Sequence, residues 1–171
     1  MLNIKLLSDR YRVEKLGISD VRRIYELCCN NSLYYHYFPP FVSEQSIVED
    51  MNALPPNKEP DDKYYMGYFE GDRLVAVMDL IMGYPNVDVA YIGFFMTDLS
   101  VQNKGIGSGI IEELCAALSR LGIKKVRLGW VRSNPQAEHF WHKNLFVETG
   151  DLQDIEDYTV VVAERELENS L

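Results

Sequence analysis

The 171-residue sequence predicts an α+β (α/β) fold: a mixed, mostly antiparallel sheet with one central parallel strand pair, flanked by about four helices. Three observations carry this. Apolar runs at residues 64–69, 74–82 and 87–97 follow one another through short turns, the first of them Glu70-Gly71-Asp72-Arg73, which makes an antiparallel meander. The third run leads through a glycine-bearing turn into an amphipathic helix and then a strand at 125–131. Strand, helix, strand in that order is a crossover, so its two strands lie parallel. Finally, residues 145–149 and 158–163 read as a closing hairpin, with Tyr158, Val160 and Val162 on one face and Thr159, Val161 and Ala163 on the other.

The elements follow in order. Residues 11–16 form a short strand. Ser19-Asp20 then caps a helix that buries Val21, Ile24, Leu27 and Cys28 and stops at Asn30-Asn31. An aromatic loop follows, Leu33 to Phe41, closed by Pro39-Pro40. Ser43 opens a second helix, without a full capping box, with Ile47, Met51 and Leu54 facing inward, and Pro55 to Pro60 is a loop. In the helix after Gly105, Ile106, Ile110, Ile111, Leu114, Leu118 and Leu121 share one face, and Gly122 ends it. Asn134-Pro135 starts the last helix, which carries Ala137, Phe140 and Trp141. No repeat or low-complexity tract appears.

The bulk numbers narrow the function classes. A hydrophobic content of 47% and a charged content of 25% are those of a soluble globular protein. A net charge of -9 argues against a nucleic-acid ligand, since counterion release needs cationic surface. The charge is uneven: Arg120, Lys124, Lys125, Arg127, Arg132 and Lys143 face a single acid, Glu138, in their stretch. This fits a face suited to an anion, or else scattered solvated charges. Cys28, Cys29 and Cys115 lack metal-ligand spacing and fit a reducing compartment. No secretory signal and no run approaching ~20 apolar residues is visible, so the expectation is cytoplasmic, with no membrane contact.

The stretch with most chemical content is Gln102-Asn103-Lys104-Gly105-Ile106-Gly107. A glycine turn feeding a helix leaves several backbone N–H groups unpaired and pointing the same way, and the helix dipole strengthens their pull on an anion. Lys104 adds a positive charge. In the preceding strand, Gly93 predicts a bulge or splay, or else close packing from a neighbour. A splayed parallel pair leaves a gap that an extended, amide-bearing ligand such as pantetheine can enter, beyond the carboxyl ends of the strands.

Gln102-x-x-Gly105-x-Gly107 resembles the acyl-CoA pyrophosphate motif of the GNAT superfamily of N-acetyltransferases. Asn134-x-x-Ala137-x-x-Phe140-Trp141, followed by Leu145-Phe146, is similar to that family's second motif. The match covers roughly residues 63–167, and the first sixty match only in element order. The resemblance implies a single N-acetyltransferase-like domain over 1–171, with an acceptor-side part about 1–62 and an acyl-CoA-binding core about 63–167. It implies pantetheine pairing with the backbone of Phe95, Met96 and Thr97. The pyrophosphate falls to the N–H groups of Gln102, Asn103, Lys104, Gly105, Ile106, Gly107 and Ser108. Asn134 would contact the pantetheine arm, Phe140 and Trp141 would line the thioester end, and Lys143 or Arg132 would lie near the nucleotide phosphate. Two departures stand out. Asn103 occupies a frequent glycine position, and Trp141 replaces a tyrosine that protonates the leaving thiolate in many members.

The expected reaction is transfer of an acetyl group from acetyl-CoA, as co-substrate and without a metal, to a primary amine of a small molecule or peptide. A non-catalytic acyl-CoA-binding sensor or partner module is the alternative, kept open by Trp141. An indole is no useful acid at neutral pH, so the thiolate's proton comes from Tyr91, Tyr158 or solvent. The backbone N–H near Met96 is the oxyanion candidate. The candidate bases are Asp79, which interrupts an apolar strand, Asp98, and His36 in the aromatic loop. His139 and His142 read as surface or packing residues with no ligand partners nearby. The acidic, aromatic first half fits a cationic or aromatic amine. The chain is expected to be a monomer or homodimer, with the last strand as a possible dimer edge.

Overall fold

A computed structural model describes residues 1–168. Seven strands form one sheet in the order β1-β2-β3-β4-β5-β7-β6. They are β1 Arg12–Lys15, β2 Lys63–Glu70, β3 Arg73–Met82, β4 Val89–Thr97, β5 Lys125–Val131, β6 Val147–Ile155 and β7 Tyr158–Glu166. Neighbours are antiparallel except β4 and β5, which run parallel as the crossover requires. That pair is hydrogen-bonded only from Val89↔Lys125 to Tyr91↔Arg127. Beyond Tyr91 the two strands part, and β5 goes on pairing with β7 as far as Val131↔Val160.

The five α-helices among the described residues are α1 Val21–Cys29, α2 Ser32–Tyr37, α3 Glu44–Asn52, α4 Ile106–Arg120 and α5 Pro135–Lys143. Each face of the sheet has its own core. Ile110, Ile111, Leu114 and Leu118 of α4 and Trp141 of α5 cover Met66, Met78, Ala90 and Ile92. Val21, Ile24, Leu27 and Cys28 of α1 and Ile47 of α3 cover Tyr65, Val77 and Met96 on the other face.

Gly93 is the bulge. The β3–β4 register runs Asp79↔Phe94 and then Leu80↔Ile92, so one residue of β4 has no partner. Side chains alternate along a strand, and one extra residue reverses the alternation. Before the bulge, Ala90 and Ile92 face α4. After it, Phe95 faces that side while Phe94 and Met96 face α1 and α3. Two successive phenylalanines thereby project from opposite faces of the sheet, just where β4 and β5 separate.

Several expectations need correction. The aromatic stretch is not a loop: Ser32 to Tyr37 form a short helix, docked through Tyr34 onto Phe94 with ring centroids 5.9 Å apart. Ser43 does have a capping box, because Ser46 replaces the usual Glu or Gln and the two serines bond reciprocally at 3.0 Å. Leu54 lies beyond α3 and is exposed. Asp20 does not cap α1; its carboxylate accepts from Gly17 N–H at 2.9 Å, closing the 3₁₀ turn in front of the helix. The last strand is not an edge. β7 lies between β5 and β6, and β6, exposed along its whole length, forms that edge of the sheet. Placing β7 against β5 also answers the basic run: Lys125 and Arg127 pair with Glu164 at 3.2 and 2.7 Å, and Lys124 pairs with Asp88 at 2.9 Å. Half of that basic run is thereby neutralised by acids from distant sequence.

Candidate active site

The turn into α4 is a cradle of free donors. The first intrahelical bond of α4 comes from Gly109 N–H to Gly105 C=O at 2.9 Å, so the N–H groups of residues 103–108 find no backbone acceptor among the described residues. Gln102 N–H is engaged with Leu99 C=O at 3.3 Å and lies outside this set. Asn103 at φ 59° and Gly105 at φ 76° are both left-handed, which turns successive N–H groups toward one side. Asparagine tolerates that region better than other side chains, which accounts for Asn103 where a glycine is frequent.

Side chains pin the cradle in place. Gln102 Nε2 donates to Asn31 Oδ1 at 2.6 Å and to Thr97 C=O at 3.1 Å, while Asn31 Nδ2 donates to Leu27 C=O at 3.1 Å. One buried asparagine thus ties the end of α1 and the end of β4 to the turn. On the far wall, Asn144 Nδ2 donates to Ser108 Oγ at 3.1 Å and to Phe140 C=O at 2.8 Å, fixing α5 against the start of α4. A Cβ on Gly107 would come 3.2 Å from the Phe140 ring, so the glycine allows the two walls to close up. Between them lies a cleft of about 370 Å³, and Phe95, Thr97, Gly107, Asn134, Phe140 and Lys143 are among its lining residues.

The end of β4 opens into the same cleft. Asp98 N–H donates to Val75 C=O at 2.8 Å, opposite it in the β3 ladder. In an antiparallel pair such residues alternate with ones whose backbone groups point away. Met96 therefore bonds toward β3, and the backbone groups of Phe95 and Thr97 face the gap beside β5. The free N–H groups belong to these two residues, on either side of the Met96 position expected from sequence.

A second cavity, about 350 Å³, lies on the α1–α3 face, and Asp50, Lys63, Tyr65, Asp79, Tyr91 and Phe94 are among its lining residues. Tyr34 lines both this cavity and the cleft. Lys63 Nζ donates to Asp79 Oδ2 at 2.7 Å and to Ala53 C=O at 2.9 Å. Asp79 is 7% exposed, and its Oδ1 is buried with no hydrogen-bond partner. Burial raises the Asp79 carboxyl above its ordinary value, against the opposing pull of Lys63. Burial raises Asp50 too, with Lys63 opposing and Asp79 and Glu49 adding. The phenols of Tyr34, Tyr35 and Tyr65 are pushed well above the usual range, first by burial, and stay neutral donors. The Cys28 thiol, pushed up to about 12 by burial, is inert.

A cradle of backbone donors, a splayed parallel pair and a second cavity across one strand can be compared with known proteins. The sequence profile of the acetyltransferase (GNAT) family matches residues 23–145, most of the chain. The chain belongs to the GNAT family. An acetyltransferase from Thermus thermophilus superposes with a TM-score of 0.73 at 18% identity, over 92% of this chain and 97% of the other. A spermidine N-acetyltransferase from Vibrio cholerae, solved with CoA and spermine, gives 0.67 at 19% identity, over 94% and 97%. PaiA N-acetyltransferase from Thermoplasma acidophilum, solved with coenzyme A, gives 0.64 at 18%, over 91% and 98%. At these identities the likeness is one of fold. No curated protein matches the chain in sequence.

Within this GNAT fold, the residues singled out from sequence fall into distinct places. Of those assigned to the acyl-CoA, all but Lys104, Ile106 and Arg132 line the cleft. Lys104 Nζ donates to Ser100 C=O at 2.8 Å instead, and Ile106 packs against the core. Asn134 spends its Oδ1 capping Ala137 N–H at 3.2 Å, so only its amide hydrogens are available to a ligand. Trp141 is 8% exposed and packs against Phe95, Phe140 and Phe146, which is a core role. Asp79 and Tyr91 line the second cavity. Tyr158 packs tilted against Phe38, with centroids 5.2 Å apart, and lines neither space. Asp98 accepts from Ser100 N–H and Arg73, a turn-capping duty, and His36 is exposed, outside both spaces. His142 is not without partners: its Nε2 lies 3.3 Å from Glu148, and Glu138 completes a cluster on that surface. Sequence reasoning missed Asn31, Tyr34, Asp50, Lys63 and Asn144. Tyr34 left a trace as part of the aromatic run, and Asn31 only as a helix stop. No helix among the described residues is long and apolar enough to cross a membrane.

Proposed function

We propose that this GNAT protein transfers an acetyl group from acetyl-CoA to a primary amine by direct attack. The row of unpaired N–H groups at 103–108, opening on the same cleft as the β4 N–H groups of Phe95 and Thr97, carries this reading. The row suits a pyrophosphate and the strand backbone suits an amide-bearing arm. The V. cholerae and T. acidophilum neighbours were solved with CoA, which supports the same donor here.

The acetyl carbonyl then lies near Phe95, where a β4 N–H stabilises the oxyanion. The amine enters from the cavity on the opposite face and sheds one proton to water, since an ammonium has no lone pair for attack. Nitrogen bonds to the carbonyl carbon, and Asp79, whose Oδ1 lacks a partner, removes the second proton. The C–S bond breaks and sulfur departs as thiolate, taking a hydrogen bond and then a proton from Tyr34 or water. Tyr34 replaces the donors expected from sequence in this role because it alone of the three tyrosines borders both spaces. Tyr91 becomes a wall of the acceptor cavity.

The test is release of free CoA across a panel of primary amines, with acetyl-CoA binding measured separately by calorimetry. Binding with amine-dependent release supports the transferase. Binding without release on a broad panel favours a non-catalytic acyl-CoA module, and absence of binding refutes both.

A further inference from the structure

The cavity on the α1–α3 face carries a charge pattern that selects among amines, given the acetyltransferase reading above. Its one lining cation, Lys63, is bound to Asp79 and to a backbone carbonyl, so its charge is already paired and two of its three donors are used before any carboxylate arrives. Asp50 stands at the mouth on α3 and has no ion-pair partner among the described residues. The remaining lining is aromatic and aliphatic, with Tyr34, Tyr65, Tyr91 and Phe94 beside Val42, Ile47 and Ile81. Asp79 Oδ1 is an acceptor waiting for a donor, held in a side chain nine-tenths buried. We propose that the acceptor is a primary amine on a short chain bearing an apolar or aromatic body and no carboxylate, an arylalkylamine in kind, with Asp50 as the residue that rejects carboxylates.

The physics is a difference between two closely related ligands. A volume of about 350 Å³ lies near the small end for small-molecule sites and takes a single ring with a short arm. An amine and its parent amino acid fill that volume almost equally. The amino acid brings a carboxylate beside Asp50, where the one lining cation is already paired with Asp79, and like charges brought together without compensation are strongly rejected. A polyamine fares differently: each further ammonium needs a carboxylate, and one unpaired acid serves one.

The experiment measures CoA release with phenethylamine, phenylalanine and spermidine for the wild type and Asp50→Asn, with acetyl-CoA affinity taken independently by calorimetry. The expected result is kcat/KM about a hundredfold higher for phenethylamine than for phenylalanine. Asp50→Asn should narrow that ratio about tenfold, since it removes the repelling charge, and should leave acetyl-CoA affinity unchanged. Spermidine should be a poorer acceptor than phenethylamine. Equal use of the amine and the amino acid, a preference for spermidine, or an unchanged ratio in Asp50→Asn overturns the assignment. So does acetyl-CoA binding without release by phenethylamine, which leaves the cleft reading standing. If acetyl-CoA does not bind, the transferase reading falls and this assignment with it.

Discussion

Gly93→Ala tests how the β4 bulge is coupled to the acceptor cavity. A Cβ at this position would lie 2.7 Å from Asp79 Oδ2 and 3.4 Å from its Cγ. Gly93 has no positive φ, so alanine itself is conformationally acceptable and would bring about 0.4–1 kcal/mol of stabilisation through the unfolded chain. Against this stands the clash. The carboxylate is held by Lys63 at 2.7 Å and cannot retreat without lengthening a buried ion pair. Overpacking costs about 1–3 kcal/mol, and full rupture of such a pair costs about 3–5. A partial shift therefore gives a net loss of about 2 kcal/mol, or about 4–8 °C in Tm for a chain of this size. Urea unfolding measures the loss. The same substitution in a Lys63→Met, Asp79→Ala background, where the obstructing carboxylate is gone, should be neutral or slightly stabilising. Acetyl-CoA affinity should hold within about twofold in the single variant, because the cleft lies on the other face, while the amine KM rises. An equal destabilisation in both backgrounds would refute the idea that Asp79 is what keeps residue 93 a glycine.

Three further outcomes follow from the same contacts. Gln102→Leu removes two donor bonds that tie the cradle to Asn31 and Thr97; it should cost about 1–3 kcal/mol in urea unfolding and weaken acetyl-CoA binding in calorimetry. Tyr34→Phe should lower kcat about tenfold or more with little change in acetyl-CoA KM in a CoA-release assay, and Trp141→Tyr should not restore it. Glu164 is held below its ordinary 4.5: burial opposes this, and hydrogen bonds from Arg127 and Lys125 prevail. A lowered folded pKa contributes stability above the unfolded value and loses it as pH falls through the folded one, so Glu164→Gln should flatten the acid side of a stability–pH curve measured by urea unfolding.

How much of this was legible in the sequence depended on how local the physics was. The strands of the meander, α4, β5 and the Asn134-Pro135 start rest on periodicity and caps within a few residues, and they lie where the residues place them. Gly93 could be read as a bulge because a glycine in an apolar strand has few other uses. Which face its neighbours then take depends on the β3 register, which the residues of β4 do not contain. The helix at Ser32–Tyr37 was invisible because it lacks an N-cap side-chain bond and is docked by Tyr34 on Phe94, some sixty residues away. Lys104 has the right charge in the right turn, yet Ser100 C=O takes its ammonium. The acceptor cavity was the least legible part. Asp50, Lys63 and Asp79 come from three elements and acquire meaning only through an ion pair that leaves one acid free.

The central claim is that the N–H groups of residues 103–108 hold the pyrophosphate of acetyl-CoA. Calorimetric titration of acetyl-CoA into Gly107→Glu tests it most directly, because this side chain brings a carboxylate to the cradle and presses on Phe140. Circular dichroism should show the fold intact, and affinity should fall about a hundredfold or more through like-charge repulsion. Wild-type affinity in a folded Gly107→Glu protein would place the pyrophosphate elsewhere and contradict the account.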